Sequence, residues 1–352
     1  MAAQDIAIIG YAQSPSWRAA DLTEPQFLFP VISEAIERAG IDRRDLGFTC
    51  AGSCDYLSGQ TFAFVMNLEA VGAWPPISES HVEMDGAWAL YEAWVRLQHG
   101  DIDTALAFGS GKSSPGTPSE IYPLQMDPYT ITPLGADPVS LAALQARAML
   151  DAGIATERSF AEVAARSRRS AIGNPYAQVS GEFDVDALLA EPYVTAPLRR
   201  HDLPPISDGA TAVVLATAEK AKEVCERPVW IRGIDHRIEA HQPGMRDLTT
   251  SASTRLAGEK AGVGDAPVDV AELSATFTHQ EPLLRTALGL GDDVEVNPSG
   301  GALAANPVMA VGLSRIAEAA RQISEHGKHR AVAHATSGQC LQQNLICVME
   351  GD

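Results

Sequence analysis

Two segments of the chain repeat one pattern, and this repeat is the strongest constraint on its fold. Residues 99–111 read HGDIDTALAFGSG, and residues 326–338 read HGKHRAVAHATSG. Each segment follows an amphipathic Ala-rich stretch, begins with His-Gly, and ends with Ser-Gly after an apolar run. A helix–turn–strand unit that occurs twice is expected when two similar α/β halves have been fused. The sequence therefore predicts a duplicated architecture, with a site where the halves meet, beside the two Ser-Gly turns.

Short runs rich in Val and Ile alternate with Ala-rich helical stretches along the chain, which is typical of a layered α/β protein. The predicted strands cover residues 6–10, 105–108, 212–216, 229–234, 268–273, 294–296, 331–334 and 345–349. The predicted helices cover residues 27–39, 87–98, 139–151, 159–170 and 307–324.

The distribution of Pro, Gly and polar residues predicts an insertion into the first half. A stretch dense in Pro and Gly covers residues 113–136, and a polar stretch covers 173–205, with two predicted helices between them. We therefore assign residues 1–112 and 201–222 to the first half and 113–200 to an inserted loop domain. Residues 223–352 form the second half.

Charge and cysteine content exclude several classes of protein. The formal charge is −19, from 26 Lys and Arg against 45 Asp and Glu, which argues against nucleic acid or an anionic membrane as the main partner. Five scattered cysteines without a Cys-x2-Cys pair fit reduced thiols better than disulfides or a metal site. The N-terminus reads as a first strand and not as a signal peptide, and no apolar run is long enough to span a membrane. We expect a soluble, cytoplasmic protein without a metal.

Four ordered segments resemble one known family. Residues 297–323 read NPSGGALAANPVMAVGLSRIAEAARQI, which is similar to the Asn-x-x-Gly-Gly and Gly-His-Pro region of the thiolase superfamily. Residues 165–178, 203–221 and 270–290 resemble, in order, its loop domain, the end of its first half and its Glu-Leu-His-Asp segment. The chain is most similar in character to sterol-carrier-protein-type thiolases and lipid-transfer thiolase-like proteins. This resemblance implies a duplicated α/β fold of five layers, αβαβα, with a short inserted loop domain.

The resemblance also implies a site in which the family's catalytic residues are replaced. A thiolase uses a cysteine nucleophile at a helix N-terminus, a second cysteine that moves the α-proton, and His and Asn side chains that hold the thioester oxygen. Here Glu83 stands in the register of the first cysteine, and a shift of up to three residues would place Gly86 there instead. The other replacements are Ser274-Ala275 for a His-Asp pair, Asn306 for the His of Gly-His-Pro, and Thr336 for the second cysteine.

No cysteine lies near the first position along the chain, so we expect no condensation through an acyl-cysteine. Cys340 lies four residues beyond Thr336, and we expect it to be a small buried side chain.

Relatives without the nucleophile include steroid side-chain aldolases, and the resemblance implies that these cleave a β-hydroxyacyl-CoA by a retro-aldol step. That reaction needs a base and donors for an enolate, but no acyl-enzyme. Glu83 or Asp85 could act as the base, although both could equally cap a helix, where the dipole would lower their pKa. His279 and His334 could reach the same pocket or be ordinary buried residues. The predicted catalytic residues are Glu83, Asp85, His279, Asn306 and Thr336.

The predicted substrate-binding residues provide backbone donors, polar side chains and cations. They are Gly301, His334, Ser337, Gly338, Arg168 and Arg169. The two arginines could bind the phosphates of coenzyme A, which the family binds over the loop domain, or could belong to a solvated helix face. Coenzyme A would be part of the substrate, and we expect no other cofactor.

Two functions remain open from the sequence. The first is a carbon–carbon lyase on an acyl-CoA with a bulky acyl group, such as a steroid side chain, for which the resemblance implies a small partner with an OB-fold and a zinc ribbon. The second is an inactive thiolase-like subunit or an acyl-CoA or lipid carrier that supports an active paralogue. We expect a homodimer or a hetero-oligomer in either case.

Overall fold

The computed structural model describes residues 4–351 and is built on one mixed sheet of ten strands. The strands are β1 (Ile6–Gln13), β2 (Phe48–Gly52), β3 (Ser78–Val82), β4 (Thr104–Lys112), β5 (Tyr193–Thr195), β6 (Leu198–Arg199), β7 (Asp208–Thr217), β8 (Val229–Ile238), β9 (Val270–Leu273), β10 (Glu295–Val296), β11 (Arg330–Ser337) and β12 (Gln343–Glu350). The strand order is β10-β9-β11-β12-β8-β1-β7-β4-β2-β3, and β5 pairs with β6 in a separate ribbon.

The α-helices lie on the faces of this sheet and in the insertion between β4 and β7. They are α1 (Glu24–Arg38), α2 (Asp55–Ser58), α3 (Phe64–Val71), α4 (Gly86–Gln98), α5 (Pro118–Ile121), α6 (Pro138–Asp151), α7 (Glu157–Ser170), α8 (Val185–Leu189), α9 (Ala218–Val224), α10 (Ala252–Ala261), α11 (Gln280–Leu288) and α12 (Val311–Ser324). Short 3-10 helices cover Arg43–Asp45, Tyr122–Gln125, Thr132–Leu134, Arg200–Asp202, Pro243–Met245 and Val263–Asp265. Within residues 4–351, none of the helices combines the length and the apolar composition needed to cross a membrane.

The two halves of the sheet have the same topology. From its outer edge inward, the first half runs β3-β2-β4-β7-β1 and the second runs β10-β9-β11-β12-β8. In each half the three outer strands are parallel and the two inner strands are antiparallel. The halves join through antiparallel pairing of β1 with β8. The predicted duplication is confirmed, and the repeated segments correspond to β4 and β11 with the turns around them.

Five layers follow from how the apolar side chains are distributed. Helices α4 and α12 share one core with side chains from both halves of the sheet, so they lie between the two half-sheets. A second core joins the other face of the first half to α1, and a third joins the other face of the second half to α10 and α11. The order is therefore helix, sheet, helix, sheet, helix, as the family resemblance implies.

The insertion between β4 and β7 carries α5 to α8 and the β5–β6 ribbon. The domain boundaries predicted at residues 112, 200 and 222 stay predictions, although β4 ends at Lys112 and β7 begins at Asp208.

Several elements were missed or misplaced by sequence patterns. No strand was predicted for β2 or β3, and no helix for α10 or α11. The helix predicted over 307–324 begins only at Val311, because residues 307–310 form a turn in which Pro307 O accepts the N–H groups of Ala310 and Val311. This turn lies at the junction of the two halves.

Candidate functional site

Asp85 connects the two central helices at their N-termini. Its carboxylate accepts a hydrogen bond of 2.9 Å from Ala87 N in the first turn of α4. It also accepts bonds of 2.9 Å from Gly312 N and Leu313 N in the first turn of α12. Burial raises the pKa of Asp85, and the three N–H donors act in the opposite direction. The capping role that the sequence left open is thus filled twice, because one carboxylate caps both helices.

The surrounding backbone brings segments of both halves together. Gly86 N donates to Met309 O at 2.8 Å, which fixes the turn before α12 against the start of α4. A Cβ atom built on Gly312 would lie 2.6 Å from the Cβ of Ala335 and 2.5 Å from Asp85 Oδ1, so only glycine permits this approach. The loop before α4, the turn before α12 and the end of β11 therefore converge. These segments carry three of the predicted site residues: Glu83, Asn306 and Thr336.

Glu83 lies in the loop between β3 and α4 and is exposed. Its Oε1 accepts a hydrogen bond of 2.6 Å from Asp55 N, at the end of the adjacent strand β2. Its Oε2 accepts no hydrogen bond from residues 4–351. The carboxylate is held by one oxygen and leaves the other available, which suits a base.

Cys54 lies beside Glu83, and this corrects the sequence expectation that no cysteine would lie near that position. The residue follows β2, whose C-terminal end is next to that of β3 because the two strands are parallel. Its Sγ accepts a hydrogen bond of 3.1 Å from Gln125 Nε2 of the insertion. Burial raises the pKa of the Cys54 thiol, and the nearby Glu83 charge acts in the same direction. Cys54 is therefore a thiol and not an activated thiolate.

Asn306 and Thr336 differ in how far their polar groups are already used. The Asn306 backbone N–H donates to Ser207 Oγ at 3.0 Å, while its side-chain amide has no partner among the described residues. The Thr336 hydroxyl donates to Gln343 O at 3.0 Å, within the β11–β12 ladder. Asn306 thus keeps a free donor, whereas the Thr336 donor is occupied.

Of the two predicted backbone donors, one is occupied and the other is free. Gly301 N donates to Ser299 Oγ at 3.2 Å. Gly338 N donates to no residue in the described part of the chain, and Gly338 is exposed with a φ of 72°. Ser337, half-buried beside it, likewise has a hydroxyl without a described partner. The free donors therefore lie at the end of β11 and not in the Gly-Gly segment.

Backbone strain is concentrated at this junction. Met309, Cys340 and Leu341 have φ values of 76°, 54° and 57°, in the left-handed region that side chains rarely adopt. Met309 lies in the turn before α12, and the other two follow Ser337 and Gly338. Such strain persists only where surrounding contacts enforce it, and it is often found at functional sites. Cys340 itself is buried, as expected, in a cluster with Met126 and Leu141 of the insertion.

His334 is buried inside the second half, and His279 is buried between the second half and the insertion. His279 Nε2 lies 3.1 Å from Gln145 Oε1, and burial lowers its pKa to about 3. His334 Nε2 lies 2.9 Å from Asn344 Oδ1, and burial lowers its pKa to about 4. Both rings are therefore neutral at pH 7, and each donates its Nε2 proton to a side-chain amide oxygen.

Arg168 and Arg169, in the last turn of α7, differ in exposure to solvent. Arg168 is buried, its guanidinium lies over the Phe183 ring, and it donates to His201 O at 3.3 Å. Arg169 is exposed and donates from Nε to Glu182 at 2.7 Å. Of these two arginines, only Arg169 is exposed enough to bind a phosphate of coenzyme A. To do so it would have to give up its ion pair with Glu182.

Sequence reasoning missed Cys54 and its neighbour Gln125, and Tyr122 lies beside them. Burial raises the pKa of Tyr122, and a charge on Cys54 would raise it further, which places the hydroxyl near the thiol. The sequence signal for this cluster would have been the adjacent parallel strands β2 and β3, neither of which was predicted.

No family model matches the chain. It is 27% identical to the acetyl-CoA acetyltransferase of Methanothermobacter thermautotrophicus over 95% of each chain. It is 26% identical to sterol carrier protein 2 of Oryctolagus cuniculus over 74% of this chain, which corresponds to 54% of that protein. A solved structure described as "Ltp2-ChsH2(DUF35) aldolase" superimposes with a TM-score of 0.82 and 20% identity, covering 99% of this chain and 98% of the other. The chain has a thiolase-like fold and is similar in sequence to thiolases and to sterol carrier protein 2.

Two carboxylates lie where the central helices of the chain converge. A carboxylate, Asp85, binds both helix N-termini, and a second carboxylate, Glu83, stands just before them. The converging segments and the residues next to them carry a free oxygen of Glu83, free donors at Asn306 and Gly338, and the thiol of Cys54. Groups of these kinds can accept a proton and stabilise a developing oxyanion without a covalent intermediate.

Proposed function

We propose that this thiolase-like chain is a retro-aldol carbon–carbon lyase that acts on a β-hydroxyacyl-CoA with a bulky, apolar acyl group, with Glu83 as the base. The observation that carries the proposal is the free Glu83 Oε2. Of the predicted proton-transfer groups, Asp85 has three N–H donors, and the two histidines are neutral and buried. Only Glu83 combines exposure with an oxygen that no described group occupies.

The chemistry balances without a thiol. Glu83 takes the proton of the β-hydroxyl group, and the bond between the α and β carbons breaks. The β carbon becomes the carbonyl of a released ketone or aldehyde, and the electron pair passes to the thioester as an enolate. Asn306 Nδ2 and Gly338 N donate to the enolate oxygen. The Glu83 proton is then transferred to the α carbon, which gives the shortened acyl-CoA.

An apolar surface beside the site supports a bulky acyl group. Tyr129 and Met245 are 86% and 78% exposed, and Leu134 is also exposed. Gln242 Nε2 donates to Thr130 Oγ1 at 2.7 Å, which places the segments of Tyr129 and Met245 side by side. The buried contact between Cys340 and the insertion connects this surface to the turn after Ser337. Contiguous exposed apolar patches of this kind commonly mark binding surfaces.

The test is product release from synthetic β-hydroxyacyl-CoA thioesters with short and steroid-like acyl groups. We expect a ketone or aldehyde and a shortened acyl-CoA in equal amounts, with the bulkier substrates favoured. If neither product is released by the chain alone or in the presence of a candidate partner, this result would count against the lyase.

A second function is supported by the donors that are already occupied. Gly301 N, Ala87 N, Gly312 N and Leu313 N all bind groups of the protein itself. A chain with so few free donors fits an inactive subunit or an acyl-CoA or lipid carrier that supports an active paralogue. Acyl-CoA binding without turnover, together with co-purification of a paralogue, would select this alternative.

Assembly forms part of the proposal. Strand β3 is an edge of the ten-stranded sheet, and its residues are mostly exposed. Phe62, Val65 and Met66 form an exposed apolar surface around the nearby helix α3. An unprotected edge of this kind favours pairing with another chain, and we propose a homodimer, in the cytoplasm, that pairs through β3. Light scattering would show one mass twice that of the chain, and His81→Pro, at a position whose N–H faces away from β2, would reduce it to the mass of a monomer.

The proposed partner is a small protein with an OB-fold and a zinc ribbon. The solved neighbour named as an Ltp2-ChsH2(DUF35) aldolase is a complex, which supports a hetero-oligomer here. Co-expression followed by affinity purification tests whether such a partner binds and whether lyase activity requires it.

A further inference from the structure

The carboxylate of Asp85 lies where two long helices present their positive ends. Helix α4 has 13 residues and α12 has 14, and each begins within two residues of a group that donates to Asp85. The N-terminus of an α-helix carries about half a positive elementary charge. Two such ends converge on one carboxylate that is only 3% exposed.

The hydrogen bonds identify the protonation state of this carboxylate. Oδ1 accepts from Ala87 N and Leu313 N, and Oδ2 accepts from Gly312 N, each at 2.9 Å. A protonated carboxyl group would need an acceptor for its own proton, and no acceptor for it is found among residues 4–351. The charge of Arg315 also lowers the pKa of Asp85, but its guanidinium is paired with Glu272 at 2.7 Å. The groups in direct contact with the Asp85 carboxylate are therefore the helix ends.

We propose that Asp85 is a fixed internal anion and a positioning residue that neutralises the N-terminal ends of α4 and α12 and keeps the negative charge of a substrate away from them. In the proposed lyase, on which this consequence rests, the enolate is then directed to Asn306 and Gly338. The same anion disfavours a thiolate at the start of α4.

The test measures the pKa of a thiol placed two residues before Asp85. The protein carrying Glu83→Cys is compared with the double variant Glu83→Cys/Asp85→Ser, in which serine keeps a neutral cap for α4. The rate of iodoacetamide labelling at residue 83 is followed against pH by peptide mass spectrometry, which separates it from the five native cysteines. The control pair carries Glu79→Cys, an exposed position on β3, with and without Asp85→Ser.

We expect Asp85→Ser to lower the pKa of the thiol at position 83 by about one unit or more, because an anion is removed and the helix ends are uncovered. The thiol at position 79 should change by much less. An unchanged pKa at position 83 would show that Asp85 is a neutral cap and would overturn the inference. If Asp85→Ser does not fold, Asp85→Asn replaces it with the same expected shift. The measurement needs no turnover, so a missing lyase activity would refute the proposed function without affecting this result.

Discussion

Glu83 and Asp85 are two residues apart, yet their carboxylates have opposite environments. Asp85 is buried and accepts three backbone N–H groups, whereas Glu83 is exposed and accepts one. A buried carboxylate with all its acceptors occupied would lose those bonds if it took a proton, so it is a poor base. The free oxygen of Glu83 has no such penalty.

Glu83→Gln should lower kcat of the lyase by about 100-fold or more, since a general base typically contributes on the order of 10²–10⁴-fold. KM for the acyl-CoA should change little, because glutamine preserves the shape and the bond from Asp55 N. Steady-state product release checks both values. Glu79→Gln, on the exposed strand β3, is the matched control and should be active. Equal activity of the two variants would remove Glu83 from the mechanism.

The sequence distinguished these roles only in part. It offered Asp85 as a cap or a base and Glu83 as the replacement of a cysteine, and the hydrogen bonds from the second half decide between these roles for Asp85. Gly312 is 227 residues away from Asp85, so no local pattern could have shown that bond. Cys54 was missed for a similar reason, because only the parallel register of β2 and β3 places it beside Glu83.

At the level of elements, the turn between Asn306 and α12 shapes the site. Sequence periodicity extended α12 back to residue 307, because Pro307 is a good first helical residue. The structure begins the helix at Val311, since the left-handed φ of Met309 turns its carbonyl towards Gly86 N. The helices α4 and α6 were predicted to within one residue at each end, whereas the short strands β2 and β3 were not predicted.

Gly109→Ala should destabilise this junction. A Cβ at position 109 would lie 2.2 Å from Met309 O and 3.2 Å from Gly86 Cα, both backbone atoms that cannot rotate away. We expect a loss of about 2 kcal/mol or more in the free energy of unfolding, as for other overpacked sites. Urea denaturation measures this loss. Gly244→Ala is the control, because a Cβ there meets nothing within 4 Å, and a similar loss in both variants would argue against the packing described.

For the whole molecule, the matching strand order of the two halves confirms what the repeated 13-residue segments predicted. The halves meet at one junction, and the second half contributes two neutral, buried histidines. Because these histidines are buried and neutral, they make the free energy of unfolding depend on pH, whereas a surface histidine would not.

The free energy of unfolding should fall as the pH is lowered through 6.5 towards 4. The pKa values of His279 and His334 are depressed in the folded state, to about 3 and about 4, so below pH 6.5 the unfolded chain binds protons that the folded chain does not. Each histidine should then cost about 1.4 kcal/mol per pH unit. Denaturation at several pH values measures the slope. His334→Gln should reduce it, and His99→Gln, at an exposed site, should not; equal slopes would contradict the buried neutral state.

The most direct test of the account is to quench the wild-type protein during turnover of a β-hydroxyacyl-CoA and to analyse products and peptides in the same sample by mass spectrometry. The account predicts a released ketone or aldehyde, a shortened acyl-CoA, and no acyl group on any of the five cysteines. An acyl group on Cys54, or the absence of both products, would contradict it.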